Sequence, residues 1–225
     1  MRIFGVSFAA GLLAAASAGC NYSSSSEKPA EVKPIVTTAE SEASPEDGAD
    51  GTCLGQLCVT RCDKLSRPED CYRAGDAYRR GKYDVVISLP TGLKYLEKAC
   101  ARKSREGCYD LGRMFSVGDR GITQDVAQAI PWLTKACDLG RGQACDELAK
   151  HAENGEGMVK DHVKAIAWLV QGCVAPDFQP WTCSAFRKAV DAKDPEAMKA
   201  VQAWKTGCAA KEKAACAGLK RADLK

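Results

Sequence analysis

The sequence predicts an all-α protein, a solenoid of about four disulfide-stapled helix-turn-helix repeats with a capping helix at each end. Three observations support this fold class: cysteines recur at a regular interval, the segments between them carry apolar residues at helical spacing, and glycines follow the first segment of the repeats. The 225 residues and a hydrophobic content of 45% allow a folded core. An aromatic content of 7% indicates that small aliphatic side chains build most of that core.

The cysteine spacing indicates repeated structural units. Twelve of the 13 cysteines follow residue 50, and five of their successive pairs are 8, 9 or 10 residues apart. The first cysteine of these five pairs recurs after 35 to 38 residues. A period in the thirties is typical of stacked supersecondary units. In chain order the pairs are Cys53 and Cys58, Cys62 and Cys71, Cys100 and Cys108, Cys137 and Cys145, Cys173 and Cys183, and Cys208 and Cys216.

The first segment of each repeat has the pattern of one helix face. Cys108 is followed by Leu111, the small residue Gly112 and the aromatic Phe115, which stand three, four and seven positions after it. Cys71 is followed by an apolar, a small and an aromatic residue at the same positions, and this spacing places them on one helix face. The small residue four positions after the cysteine lets another helix approach closely. Glycines that end the helix or turn the chain come next: Gly81, Gly118, Gly155 and Gly157.

The second segment of each repeat is also helical in pattern. Residues 125–137 and 161–173 share Asp-x3-Ala-Ile-x-Trp-Leu-x3-Cys, with every element 36 residues apart. The aspartate that opens this pattern suits a helix N-terminus, where a carboxylate is favoured. Each unit is therefore predicted to be helix-turn-helix. Five aromatic residues at helical spacing are expected in the core: Tyr78, Tyr95, Phe115, Trp132 and Trp168.

The cysteine pairs fall where one unit ends and the next begins. A short link folds two helices antiparallel and can bring their side chains to disulfide distance, so we expect each pair to join neighbouring units. Metal binding is the alternative, but the spacing of Cys53, Cys58, Cys62 and Cys71 is not a familiar zinc pattern, and we expect no metal site. The connectivity among these four cysteines stays open.

The N-terminus has the features of a signal peptide: Arg2, an apolar stretch from Ile3 to Ala16, and small residues before Cys20. A membrane-spanning anchor is less favoured because the uncharged run is short for a bilayer. The ending Ser17-Ala18-Gly19-Cys20 resembles a bacterial lipobox. That resemblance implies acylation of Cys20 and a lipid anchor, with simple secretion as the alternative. Asn21 after the cysteine implies the outer membrane, on its periplasmic or surface face.

Three parts follow from this organisation. We expect a lipoprotein signal peptide over 1–19, an acylated cysteine with a disordered tether over 20–51, and a repeat domain over 52–225. The tether is rich in Ser, Pro and Glu and has no helical periodicity. Its excess of acidic residues leaves the repeat domain mildly basic. Because the charges of that domain alternate in sign, no nucleic-acid partner is expected.

The repeat motifs resemble those of the Sel-one-like repeat (SLR) family. They read Gly-Cys-x2-Leu-Gly-x2-Phe-x2-Gly over 107–118, Gly-x-Gly-Met-Val-Lys-Asp over 155–161, and Lys-Ala-x2-Trp over 164–168. The resemblance is to the secreted cysteine-rich branch and covers about 62–222. It implies a right-handed α-solenoid related to tetratricopeptide repeats. We therefore expect four full units, with capping helices near 56–63 and 212–222.

Such a solenoid offers a long concave surface that suits a peptide or protein partner. The sequence thus favours an envelope-anchored binding module, scaffold or adaptor, with a monomeric domain and an unidentified envelope protein or peptide as its partner. Positions two and five after the first-helix cysteine should avoid the core and form the candidate binding face, although they could also be merely solvated. These residues are Arg73, Asp76, Asp110, Arg113, Glu147 and Lys150.

The same resemblance carries an enzymatic alternative, because members of the cysteine-rich branch are often labelled β-lactamases or penicillin binders. That serine chemistry needs Ser-x-x-Lys, Ser-Asp-Asn and Lys-Thr-Gly. The first motif occurs only at 25–28 in the tether, the third ends a helical segment at 205–207, and the second is absent. His151 and His162 are expected to be partly exposed and structurally neutral. We predict no catalytic residue and no cofactor; a purely structural envelope protein is the third possibility.

Overall fold

The computed structural model describes residues 53–83, 85–119 and 121–224, all within the compact unit Glu42–Lys225. Over these ranges the chain forms ten α-helices and no named strand; an isolated parallel bridge joins Arg141 and Asp177. The predicted signal peptide and the whole of the predicted tether, including Cys20, lie outside the described residues. None of the helices in the described ranges is long and apolar enough to cross a membrane.

The ten helices are α1 Gly55–Leu65, α2 Pro68–Arg80, α3 Leu89–Ala101, α4 Arg105–Val117, α5 Val126–Asp138, α6 Gly142–Asn154, α7 His162–Val174, α8 Pro180–Asp191, α9 Pro195–Ala209 and α10 Lys213–Arg221. Three hairpins pack closely and pair α2 with α3, α4 with α5, and α6 with α7. Helices α8 and α9 form the fourth hairpin, with a much smaller contact between them, and α10 packs against α9 and α7. The predicted all-α solenoid and its capping helices are confirmed.

The helix boundaries follow the residues that the sequence singled out. Asp125 is the N-cap of α5 and accepts a hydrogen bond from the amide of Gln128 at 3.0 Å, and Asp161 caps α7 in the same way. These backbone hydrogen bonds lower the pKa of both carboxyl groups. Gly81 and Gly155 end α2 and α6 with φ of 66° and 73°, a left-handed conformation that glycine adopts without steric cost.

Within a hairpin the helices approach closely at the predicted small residue. A Cβ added to Gly112 on α4 would lie 2.6 Å from a side-chain carbon of Leu133 on α5, and Gly75 on α2 has the same relation to Leu96 on α3 at 2.8 Å. Real Cβ atoms essentially never approach that closely. The glycine four positions after the cysteine is therefore required by the packing of the hairpin.

Six disulfides form among the described residues, and five of them join consecutive helices at the boundary between units. We call these five bonds staples; their Cα–Cα distances are 4.6 to 4.9 Å. The structure also settles the pairing that the sequence left open, because Cys53 bonds Cys58 within the N-terminal segment. The staples are Cys62–Cys71, Cys100–Cys108, Cys137–Cys145, Cys173–Cys183 and Cys208–Cys216.

The core is built mainly from aliphatic side chains and cystines. Leu96, Leu111, Leu133, Leu148 and Phe186 are all fully buried. The prediction that five repeat aromatics lie in the core is wrong in detail. They are only partly buried and pack against the edge of the core, because the space between paired helices is filled by leucine and alanine: Tyr78, Tyr95, Phe115, Trp132 and Trp168.

Candidate ligand-binding face

The predicted binding face lies on the first helices α2, α4 and α6, and the structure divides its six residues into two groups. Arg73, Arg113 and Lys150 are exposed. The three acidic residues are partly buried, which corrects the expectation that the whole set is equally available to a partner: Asp76, Asp110 and Glu147.

Arg79 accounts for the burial of two of these acids. Its guanidinium donates to Asp76 at 3.0 Å within α2, and to Asp110 on α4 and Asp119 after α4, both at 3.2 Å. Burial raises the pKa of Asp110, and the nearby Arg79 offsets part of that rise. Arg79 thus connects the first helices of two successive hairpins through charge-assisted hydrogen bonds.

Glu147 is held in the same way by the preceding hairpin. The Tyr109 hydroxyl on α4 donates to Glu147 on α6 at 2.6 Å. Burial, followed by this hydrogen bond, raises the pKa of Tyr109 above its ordinary value. The Arg141 guanidinium lies 5.0 Å from the centre of the Tyr109 ring and forms an ion pair with Asp177. The acidic half of the predicted face therefore holds the repeats together.

A cavity of about 380 Å³ lies between the C-terminal ends of α2 and α4. Three arginines, two aspartates and two apolar side chains line it, so it can accept a polar group with an aliphatic portion. Asp110 and Arg113 are its only residues from the predicted face. The lining consists of Arg79, Arg80, Asp110, Arg113, Met114, Val117, Gly118 and Asp119.

A second cavity of about 200 Å³ lies at the N-terminal end of the domain. Arg73 and Asp76 contribute to it, together with Tyr72, whose pKa burial raises to about 12. The linings of these two cavities include neither Glu147 nor Lys150. The predicted face is therefore concentrated on the first two hairpins.

Sequence reasoning missed the residues that connect the repeats, although a signal for them exists. Arg79, Ser116 and Glu153 all stand eight positions after the first-helix cysteine, which extends the stripe at positions two and five by one further turn. Each of them makes a hydrogen bond outside its own helix. Following the same helix face to its end would have identified them.

His151 departs from the expectation of a partly exposed, structurally neutral residue. It is buried, and its Nε2 lies 3.1 Å from the Ser116 hydroxyl oxygen while its Nδ1 lies 2.9 Å from Glu156. The order serine, histidine, carboxylate matches that of acyl-transfer triads. Ser116 and His151, however, are only 7% and 9% exposed, and neither belongs to the lining of the two cavities described above. The arrangement instead links α4 to α6.

His162 makes a corresponding connection toward the C-terminus. Its ring, which is nearly half exposed, contacts Glu153 through Nδ1 and Asp194 through Nε2. Hydrogen bonds to Asp194 and Glu153 raise the pKa of His162. Among the described residues, no group of three or more His, Cys, Asp or Glu side chains is arranged to hold a metal ion.

The fold and this face define a helical-repeat protein of the α-solenoid class. The Sel1 repeat family matches residues 68–104, 105–140 and 142–173, which correspond to the first three hairpins. These three matches together cover slightly less than half of the chain, and they agree with the resemblance of its motifs. The fourth hairpin, whose segments begin with Pro180 and Pro195, lies outside the matched residues.

One solved structure has a similar architecture, and a second matches more weakly. A Sel1 repeat protein from Oxalobacter formigenes is 19% identical with a TM-score of 0.53; the match covers 68% of this chain and 62% of that protein, and so less than two thirds of its length. A protective antigen of uropathogenic Escherichia coli strains with an SLR fold is 16% identical with a TM-score of 0.47, covering 75% of this chain and 41% of the antigen. No curated protein sequence matches the chain.

Proposed function

We propose that this protein is an extracytoplasmic repeat module that binds a protein or peptide and is anchored to the outer membrane by acylated Cys20. The observation that carries the binding function is the state of Arg73 and Arg113. Both are exposed on first helices, and neither makes a side-chain hydrogen bond or ion pair within the described part of the chain. Each also lines a cavity.

The environment of the protein follows from its sulfur chemistry. Six disulfides among the described residues are typical of an oxidising, extracytoplasmic compartment. The lipobox-like ending at Cys20 and the acidic tether that follows it support a lipid anchor with the repeat domain held away from the membrane surface. Two acyl chains would make such an anchor stable.

An extended chain fits the face better than a small molecule does. Both cavities include residues of α2: the larger one extends to α4, and the smaller one to the Cys53–Cys58 segment. Both combine cationic, anionic and apolar groups. A peptide that crosses both could meet the unpaired guanidinium groups of Arg73 and Arg113. Repeat proteins commonly bind partners along such a series of first helices. A β-lactam or cell-wall hydrolase is the alternative, and turnover of nitrocefin by the oxidised protein would favour it.

A cross-linking pull-down from the native envelope tests the binding function. The double variant Arg73→Ala with Arg113→Ala should lose the proteins that the unaltered chain captures. Lys94→Ala with Lys205→Ala is the matched control, because it removes two exposed cations from the second helices α3 and α9. Equal capture by both double variants would contradict the proposal.

The anchor is tested separately. The mass of the mature N-terminal peptide should show Cys20 as residue one with acyl groups on its thiol and amine. Cys20→Ala should release the protein from the membrane fraction while its disulfides remain intact. An uncleaved N-terminus, or an unmodified Cys20 in the membrane fraction, would contradict the anchor and leave the binding function to its own test.

A further inference from the structure

We propose that the Cys53–Cys58 disulfide is a thiol–disulfide exchange site, reduced by a small dithiol while the five staples stay oxidised. This inference goes beyond the proposed binding function and does not depend on it.

The position of this disulfide separates it from the staples. Cys53 and Cys58 are five residues apart, and the bond closes the segment that leads into α1. Every staple instead ties one helix to the next across a separation of 8 to 10 residues. Opening Cys53–Cys58 therefore releases a short terminal loop and leaves all four hairpins connected.

Cys53 lies beside a buried carboxylate, Asp70, that has an oxygen without a hydrogen-bond donor. The Asp70 side chain is only 4% exposed, and its Oδ1 lies 3.3 Å from Cys53 Sγ. Its Oδ2 has no hydrogen-bond partner within the described residues and forms an ion pair with the largely exposed Arg67, whose Nε lies 3.4 Å away. A buried carboxylate without a donor is energetically unfavourable.

Reduction would supply a donor to Asp70 Oδ1, while Oδ2 would keep only its ion pair with Arg67. A disulfide sulfur carries no hydrogen, so in the oxidised protein Cys53 donates nothing to Asp70. In the reduced protein the Cys53 thiol can donate to Oδ1, and a hydrogen bond to a charged acceptor is stronger than one to a neutral group. A contact available only to the reduced state favours that state, which makes this disulfide easier to reduce.

The staples lack a comparable acceptor. In each of them the second cysteine sulfur lies 3.6 to 3.9 Å from a backbone carbonyl oxygen, which is neutral. Reducing a staple therefore offers no charge-assisted hydrogen bond of this kind. It would also remove the covalent link between two helices that are packed together.

A route for the reductant is present. Cys53 and Cys58 are themselves almost fully buried, but both contribute to the lining of the 200 Å³ cavity, together with Tyr72 and Arg73. The first thiolate of a dithiol attacks Cys58 Sγ, the Cys53–Cys58 bond breaks, and Cys53 takes a proton from solvent. The second thiolate then attacks the reductant's own sulfur in the mixed disulfide, and Cys58 leaves as a thiolate that takes a second proton from solvent. The dithiol loses two electrons and becomes a disulfide, and the protein gains two thiols.

The test is a redox equilibrium titration of the full chain in dithiothreitol buffers of increasing reducing strength. Samples are quenched with acid, alkylated after denaturation and mapped by mass spectrometry. We expect Cys53 and Cys58 to become half-alkylated at a ratio of reduced to oxidised dithiothreitol at least tenfold below that needed for any staple. Reduction of Cys208–Cys216 first, or of all six together, would overturn the proposal.

Asp70→Asn tests the cause. Removing the carboxylate should raise the ratio needed to reduce Cys53–Cys58 several-fold and leave the staples unchanged. Asp146→Asn is the matched control, since Asp146 is equally buried on a first helix but accepts a hydrogen bond from Lys150 at 2.7 Å. An unchanged midpoint in Asp70→Asn would refute the mechanism. The order of reduction in the unaltered chain decides the proposal even where the variant does not fold.

Discussion

The His162 Nε2 lies 2.6 Å from a carboxylate oxygen of Asp194, which is also the N-cap of α9. This contact joins the first residue of α7 to the start of the second helix in the next hairpin. Asp194 receives hydrogen bonds from the amides of Glu196 and Ala197 at 3.0 and 2.9 Å. One carboxylate therefore caps the start of α9 and at the same time contacts His162 of the preceding hairpin.

This contact should make stability depend on pH. Because the pKa of His162 is raised above its ordinary 6.5, its contribution is complete below about pH 6.5 and is lost as the pH rises through the raised value. The pKa of Asp194 is lowered, chiefly by the amide of Ala197, so its contribution is lost on acidification through that lowered value. His162→Gln should therefore be less stable than the unaltered chain at pH 6, by less than about 1 kcal/mol because the ring is nearly half exposed.

Thermal unfolding from pH 5.5 to 8.5 checks this expectation. The difference between the two chains should shrink as the pH rises. A difference that stays constant over the range would show that His162 contributes nothing through its charge.

Arg79→Met should destabilise the protein strongly. Arg79 is only 13% exposed and pairs with aspartates from two successive hairpins. Its loss removes the ion pair of the partly buried Asp110, whereas Asp76 keeps its contacts with Arg80 and Lys82. We expect a loss of about 2–3 kcal/mol in the free energy of unfolding in urea. The neighbouring Arg80→Met is the control, because Arg80 is 45% exposed and should cost less than about 1 kcal/mol. Equal losses would contradict the role assigned to Arg79.

Gly112→Ala should reduce stability even though alanine favours helices over glycine by about 1 kcal/mol. The added methyl group would lie 2.6 Å from Leu133, so α4 and α5 must separate, at a net cost of about 1–3 kcal/mol. Urea unfolding measures the change. Combining Gly112→Ala with Leu133→Ala should recover part of the loss, since the smaller side chain leaves room; a strictly additive double variant would argue against a clash.

Ser104→Ala should remove the N-cap of α4, which lies in the loop closed by the Cys100–Cys108 disulfide. Ser104 lies between Cys100 and Cys108, is 1% exposed, and accepts a hydrogen bond from the amide of Gly107 at 3.2 Å. We expect a loss of about 1 kcal/mol in thermal or urea unfolding. Ser104→Thr keeps the hydroxyl and should lose less. A larger loss in Ser104→Thr than in Ser104→Ala would indicate that the added methyl group does not fit, and that packing outweighs the cap at this position.

The sequence predicted the scaffold more fully than the candidate site, for identifiable reasons. The staples and the caps at Asp125 and Asp161 arise from local patterns that recur every repeat. The burial of Asp110 depends instead on Arg79, 31 residues away, and the position of His151 on Ser116, 35 residues away. Such contacts depend on the angle between successive hairpins. The sequence pattern within one repeat does not predict that angle. The Asp70 contact with Cys53 was missed because the pairing of Cys53 was open.

Disulfide mapping of the unreduced protein tests the central claim most directly. The claim is that helical hairpins are joined to their neighbours by cystines at each boundary between units. Proteolysis without reductant, followed by mass spectrometry, should recover Cys62–Cys71, Cys100–Cys108, Cys137–Cys145, Cys173–Cys183 and Cys208–Cys216, with no free thiol among these ten cysteines. Free thiols at these positions, or bonds between cysteines of non-adjacent helices, would contradict it.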